Sequence, residues 1–254
     1  MNFQFRNSTS ERAIINHLSR EGTDMTLAIE TGLVEHPGFG NDIRSLNDAL
    51  TETGESLART AADRSPSGFD KEAGNLIDRR FKPAFRLAVE GQRRSMAELE
   101  KEEAALYAPR FAEGSEPATR AEQRAWWREL SMPQRIEAAN DDPALAAAIV
   151  EGGPAMAGLP RDIFERLRRN MAIGQLGERI ARDANLRTVP TADDPIGGQP
   201  DYATARANAA KRLDRLDDER DMLNRVPTLL ANVVTAVALM TGETRQAAFE
   251  RLTA

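Results

Sequence analysis

The chain has 254 residues and a net charge of −6, and 29% of its residues are charged while only 5% are aromatic. Ala, Leu, Ile, Val and Met must therefore fill the core, and Ala and Leu favour helices over strands. The lack of cysteine excludes disulfides, thiolate metal sites and cysteine nucleophiles, and the acidic balance argues against a general nucleic-acid binder.

The N-terminal part of the chain is predicted to be helical. Ser8 begins the pattern of a capping box, so we expect a first helix after it that ends at Gly22. A short helix over residues 24–35 follows, and Asn41 caps a longer one. We find no period-two alternation typical of a strand. An N-terminal helical region over residues 1–109 is therefore predicted.

The longest predicted helix covers residues 70–107 and contains Pro83. Proline lacks a backbone donor and clashes with the preceding turn, so we expect a kink or break near Phe81. The arginines of this helix precede its glutamates, which opposes the helix dipole and suggests charge partners outside the helix. Three of them are candidate interaction residues: Arg79, Arg86 and Arg93.

A linker over residues 110–118 leads to a middle group of short helices over residues 119–187. Within this group, Trp126 and Trp127 are adjacent. Helical spacing allows one indole to enter the core, while the other is exposed or belongs to an interface, where tryptophan is enriched.

A linker rich in proline and glycine, residues 188–200, precedes a predicted C-terminal helical hairpin over residues 201–254. Pro227 is expected to break or bend the first helix. Residues 226–242 carry no charge, and small side chains recur along one face of this segment. Four of them are candidate contact residues: Thr228, Ala231, Thr235 and Ala238.

Three interpretations of this uncharged segment remain open. It is a buried helix of the fold, an interface with another chain, or a membrane-inserting helix. Its length is at the lower limit of a spanning helix, and Pro227 and Asn232 make it less apolar, so we do not favour the membrane.

No catalytic, cofactor-binding or metal-binding residues are predicted. His17 and His36 lack the i, i+4 partner of helical zinc sites, and we interpret them as surface or turn residues. The acidic runs at residues 141–142, 193–194 and 217–219 are neighbours in sequence and point in different directions on a helix. A metal-dependent helical enzyme is only an alternative.

Arginine clusters offer a possible contact with nucleic acid, which we do not favour. They occur in residues 79–94 and at Arg166, Arg168 and Arg169. Acidic residues lie close to both clusters and aromatic residues do not alternate with them, so a solvated or intersubunit ion-pair surface explains them better.

A stretch around residues 141–170 resembles uncharacterised helical proteins encoded by phages and prophages. The similar residues are Asp-Asp-Pro-Ala-Leu-Ala-Ala-Ala-Ile-Val at 141–150 and Gly-Leu-Pro-Arg-Asp at 158–162. The resemblance implies a virion or assembly component, and it assigns no active-site residue.

Together these observations predict an all-α, multi-helix bundle with a long kinked central helix. We expect a non-enzymatic structural or interaction protein, a subunit of a larger assembly such as a phage virion, whose partners are copies of itself or virion proteins. A membrane-active protein delivered with phage DNA is the first alternative. No secretion signal is found at the N-terminus, so the expected location is the virion or the cytoplasm.

Overall fold

The computed structural model describes residues 2–112, 114–191 and 196–254, and 73% of these residues are helical. A three-stranded antiparallel sheet in the order β1-β2-β3 forms the N-terminus. Its strands are β1 (Phe3–Thr9), β2 (Ala13–Arg20) and β3 (Thr23–Glu30). The prediction of a mostly helical protein is confirmed, and the stricter prediction of an all-α protein is wrong.

The strands follow from a period-two pattern that our helical interpretation overlooked. In β3, Leu27 and Ile29 are buried, and the residues that precede each of them, Thr26 and Ala28, are exposed. Ser8, assigned above to a helix cap, lies within β1. The alternating burial of these side chains outweighs the local capping pattern.

A tight hairpin turn joins β2 to β3. Glu21 and Gly22 both have positive φ, 50° and 87°, which is the backbone of a type I′ turn. Gly22 therefore closes a hairpin instead of ending a helix. The turn sets the register, in which Arg20 lies opposite Thr23.

The helices follow the sheet. They are α1 (Thr31–Glu35), α2 (Gly40–Thr60), α3 (Pro66–Leu76), α4 (Lys82–Tyr107), α5 (Pro117–Glu129), α6 (Met132–Asp141), α7 (Pro143–Ala157), α8 (Arg161–Asp183), α9 (Tyr202–Thr241) and α10 (Arg245–Thr253). The irregularity predicted near Phe81 is confirmed: a π-helical segment, Ile77–Phe81, connects α3 to α4. Pro83 follows it, where its missing donor leaves a gap in the regular helical hydrogen bonds.

The sheet packs on α2 through one glycine and a buried set of asparagines. A Cβ at Gly54 would overlap the ring of Phe5, which explains why α2 contains a residue of low helix propensity. Asn16 is fully buried; its side-chain oxygen accepts from Asn7 Nδ2 at 2.8 Å and its amide donates to Asn47 Oδ1 at 3.2 Å. These bonds satisfy polar groups that would otherwise be costly to bury.

The chain forms two compact units. The terminal unit comprises Met1–Leu99 and Glu219–Ala254, and the central unit comprises Glu100–Asp218. These two units differ from the three regions that the linkers at residues 110–118 and 188–200 separate in the sequence. Residues 119–187 do lie in the central unit, but the last part of the chain belongs with the N-terminal region.

The sequence predicts a break or a bend at Pro227. Helix α9 is continuous over 40 residues, so the break is wrong, and the bend stays a prediction. Pro227 is exposed, so its ring lies on the solvent side of the helix. The predicted hairpin is replaced by α9 followed by the short helix α10, with a turn at Gly242, whose φ is 73°.

The C-terminus of α9 is held by Arg20 at the end of β2. Its guanidinium donates to the carbonyl oxygens of Leu239 and Met240 at 3.2 and 3.1 Å. It also pairs with Asp70 at 2.6 Å and lies 5.5 Å from the ring centre of Phe69. One side chain thus connects the sheet, α3 and the last turn of α9.

We predict that Arg20→Met lowers the free energy of unfolding by about 2–4 kcal/mol, because a largely buried guanidinium leaves two carbonyl groups and one carboxylate without their donor. Arg225→Met is the matched control. Arg225 also forms a short ion pair, with Glu30 at 2.7 Å, but both side chains are more than half exposed. We expect the control to change stability by less than about 1 kcal/mol. Urea denaturation measures both, and equal losses would contradict the role given to Arg20.

Candidate functional site

A wide cleft of about 1040 Å³ opens within the central unit. Its walls come from the segment that follows α4, the end of α6, the start of α7, the length of α8 and the first turns of α9. Four arginines line it, and we call it the arginine cleft after them: Arg110, Arg179, Arg182 and Arg206.

A pair of hydrogen bonds fixes one wall of the cleft. The amide of Gln175 on α8 donates to the carbonyl of Arg110 at 3.0 Å and accepts from its backbone N–H at 3.2 Å. This pairing satisfies both backbone groups of a residue outside regular structure. Arg110 is thereby held against α8.

A second wall of the cleft depends on a glycine. A Cβ at Gly177 would lie only 3.2 Å from the Cα and 3.3 Å from the N of Arg206. Gly177 therefore allows α8 and α9 to approach closely, and this approach places Arg206 at the cleft. Gly174, one turn earlier, has no atom within 4 Å of a Cβ position and leaves space in the cleft.

The four arginines of the cleft have no carboxylate partner among the residues that the structure describes. The cleft also contains Glu178 and Asp183, each four residues from an arginine, at the spacing of helical ion pairs. In the structure neither Glu178 and Arg182 nor Arg179 and Asp183 form an ion pair. Among the lining residues that the structure describes, four positive and two negative side chains give a formal charge of +2, in a chain of net charge −6.

The floor of the cleft is apolar and belongs to the core of the central unit. Leu167 and Met171 are buried and pack with the Ala-rich helix α7. Phe111 lies at the edge, with the guanidinium of Arg120 4.1 Å from its ring centre. Arg120 is held by Glu151, and its hydrogen bonds keep the pKa of Glu151 below the ordinary value.

The two adjacent tryptophans are placed as the sequence predicted. Trp127 is buried in the core of the central unit and donates from Nε1 to the carbonyl of Arg135 at 3.0 Å. Trp126 is 51% exposed. Its role in an interface stays a prediction.

The uncharged segment of α9 buries its larger side chains, among them Val226, Val233, Val237 and Met240. The small residues lie elsewhere on the helix: Thr228 is exposed, and Ala231, Thr235 and Ala238 are half-buried. The four candidate residues therefore do not form the buried face of the helix. Their contact with another chain stays a prediction.

The structure does not bring together the three candidate arginines of the terminal unit: Arg79, Arg86 and Arg93. Arg86 donates to the carbonyl oxygens of Leu252 and Thr253, the last of these at 2.9 Å, and so caps the C-terminus of α10. Arg79 and Arg93 are exposed and have no ion pair with a described residue.

The second arginine cluster is an ion-pair surface, as the sequence predicted. Arg169 pairs with Asp214 and Asp217, both at 2.6 Å. Arg166 and Arg168 each pair with an acidic residue of the same helix. The sequence analysis did not single out the cleft arginines, which have no ion pair with a described residue.

His36 lies in a turn, as expected, but it is buried. Its ring stacks on Phe39 with the ring centres 4.1 Å apart. Nδ1 accepts from the N–H of Gly38 at 3.1 Å, so the neutral ring carries its proton on Nε2, which lies 3.7 Å from Glu219. Burial lowers the pKa of His36, and the charge of Glu219 opposes this effect.

Acidic residues do not form a metal site within the described ranges, where no three His, Asp or Glu side chains come together. Asp142 instead accepts hydrogen bonds from the first turn of α7, and Asp217 is paired with Arg169. Asp193 and Asp194 lie outside the described residues.

One described helix is long and apolar enough to cross a membrane, namely α9. In its most apolar window 39% of the residues are buried inside the protein. Length and composition alone do not separate a spanning helix from a core helix.

Comparison with protein-family models, with curated proteins and with solved structures finds no match to this chain.

We predict opposite effects for two alanine substitutions on α8. Gly174→Ala should raise the free energy of unfolding by about 0.5–1 kcal/mol, because it removes a flexible residue from a helix without creating a contact. Gly177→Ala should lower it by about 1–3 kcal/mol, because the methyl group presses on the backbone of α9. Urea denaturation measures the free energy of unfolding of both variants. Stabilisation by both substitutions would show that α8 and α9 are not in close contact.

We also predict that His36 makes the protein less stable in mild acid. The folded chain holds this side chain neutral to a lower pH than the unfolded chain does, so the unfolded chain binds more protons as the pH falls below about 6.5. Stability should therefore decrease from that pH downward until the folded-state pKa is passed. His36→Gln should reduce this slope in urea titrations between pH 7 and 5, whereas His17→Gln on the exposed side of β2 should retain it.

Proposed function

We propose that this chain is a structural or interaction protein, one subunit of a larger assembly, and that it acts by binding a partner in the arginine cleft. The observation that carries this proposal is a set of four arginines around an apolar floor, none of which forms an ion pair with a described residue. Positive charge concentrated in a cleft attracts and orients an oppositely charged partner.

The contrast within the central unit supports a binding role. Outside the cleft, several arginines of this unit pair with carboxylates: Arg120 and Arg124 with Glu151, Arg169 with Asp214 and Asp217, and Arg212 with Glu102. Others, such as the exposed Arg161 and Arg215, do not pair with a described carboxylate, but they are not gathered in a cleft. Inside the cleft, carboxylates are present on the same helix but do not pair. A partner that supplies carboxylates would complete these interactions.

A phage particle is the assembly that we propose, because residues 141–150 and 158–162 resemble phage-encoded proteins. The proposed partners are further copies of this chain or other virion proteins, and the proposed location is the virion or the cytoplasm. Nothing in this role requires a cofactor or catalysis.

A membrane-active role is the second candidate, since α9 has the length and apolar character of a spanning helix. Against it, Val233, Val237 and Met240 are buried in the fold, and Arg20 binds the last carbonyl groups of the helix. Membrane insertion would have to break these contacts. Liposome flotation separates the two roles. If the wild-type chain floats and Ala231→Lys, a change at a half-buried position, prevents it, insertion is supported.

We predict that the protein purified from the cells that make it has a native mass well above the 28.0 kDa of one chain. Because the proposed contact is electrostatic, raising the salt concentration should shift the mass towards the monomer. Replacing Arg179 and Arg182 by Gln should do the same at low salt, and Arg212→Gln, in the same unit but outside the cleft, should not. Native mass spectrometry is the measurement, and a monomer under all conditions would contradict the proposal.

A further inference from the structure

We propose that the arginine cleft receives an acidic amphipathic helix of a partner protein, an inference that rests on the proposed function and names the partner's chemistry. Three properties of the cleft support it: its length, its apolar floor and its charge.

The length of the cleft matches a helix. Five lining residues follow one another three or four positions apart along α8 and so share a face: Leu167, Met171, Gly174, Glu178 and Arg182. At 1.5 Å per residue this row is about 22 Å long, or about four helical turns. The cleft volume of about 1040 Å³ is at the upper end for small-molecule pockets and suits a protein segment better.

The floor offers an apolar surface with room for close approach. Leu167 and Met171 are buried, and Ile173 is half-buried beside them. At Gly174 a Cβ would meet nothing within 4 Å, so the floor has an opening where a partner side chain or backbone can enter. An amphipathic helix binds such a groove with its apolar face.

The rim selects for negative charge on the partner. Among the described lining residues the arginines exceed the carboxylates by two. Each planar guanidinium group can bind a carboxylate with two parallel hydrogen bonds. A helix with glutamates beside its apolar face would satisfy both the floor and the rim.

A nucleic acid fits the cleft less well. The aromatic ring at the edge, Phe111, is covered by Arg120 and offers no free face for base stacking. The chain as a whole is acidic, which disfavours a polyanion that extends beyond the cleft.

The test uses the full chain and defined probes. Fluorescence anisotropy measures binding of a labelled synthetic helical peptide of about four turns with a leucine face flanked by glutamates. Three comparison probes are a peptide with lysine in place of glutamate, a glutamate peptide whose leucines are scattered around the helix, and a single-stranded oligonucleotide. We expect binding of the first peptide alone, weakening as salt is raised.

Variants locate the binding site. The double substitution Arg179→Glu and Arg182→Glu should weaken peptide binding at least tenfold, and Arg212→Glu should leave it unchanged. Gly174→Leu should also weaken it, because the side chain fills the opening in the floor, whereas Gly174→Ala should retain most of the affinity. Circular dichroism melts confirm that each variant is folded.

Other outcomes overturn the inference. Absence of peptide binding, equal binding of the lysine peptide or the scattered peptide, tighter binding of the oligonucleotide, or binding that the cleft variants do not change would each do so. If the native complex still depends on Arg179 and Arg182 while the peptide fails, the proposed function stands and only the helical partner is rejected. If the native protein is also a monomer, both fail.

Discussion

The contact between Arg20 and the end of α9 determines how the termini of this protein come together. The last carbonyl groups of a helix have no donors within the helix and carry the negative end of its dipole, so a cation placed there stabilises the helix end. Asp70 and Phe69 hold the guanidinium in place from α3. Because Arg20 belongs to the sheet, the C-terminal part of the chain becomes part of the N-terminal fold.

The central unit depends on a close approach of α8 to α9. Gly177 lets α8 and α9 meet without a side chain between them, and Gln175 holds the segment after α4 on the same helix. The walls of the arginine cleft are therefore attached to α8, one rigid element. For the partner that we propose, a cleft supported in this way is already open before binding, which reduces the entropy lost on binding.

Predictions from the sequence succeeded where the structure depends on residues that are close together in the chain. Pro83 and the neighbouring irregular segment are close in sequence, and the different environments of Trp126 and Trp127 follow from adjacent positions on one helix. The sheet was missed because the alternation in its strands was overlooked and a serine near Glu11 imitates a helix cap. Only the pairing of β1 with β2 shows that this serine lies in a strand.

The cleft was missed for a different reason. Glu178 and Arg182, like Arg179 and Asp183, have the spacing of helical ion pairs, so the sequence predicts that they neutralise each other. The structure leaves both pairs open and adds Arg110 and Arg206 from segments distant in the chain.

By itself, the sequence determined a mostly helical chain with few aromatic residues, an irregular helix near Phe81 and an apolar segment near the C-terminus, because these depend on composition and on residues within a turn or two of each other. Only the tertiary structure decided which face of that segment is buried, that Arg20 binds its end, and that four arginines share one cleft. These features depend on contacts between residues far apart in the chain, and no local pattern encodes which distant side chains will meet.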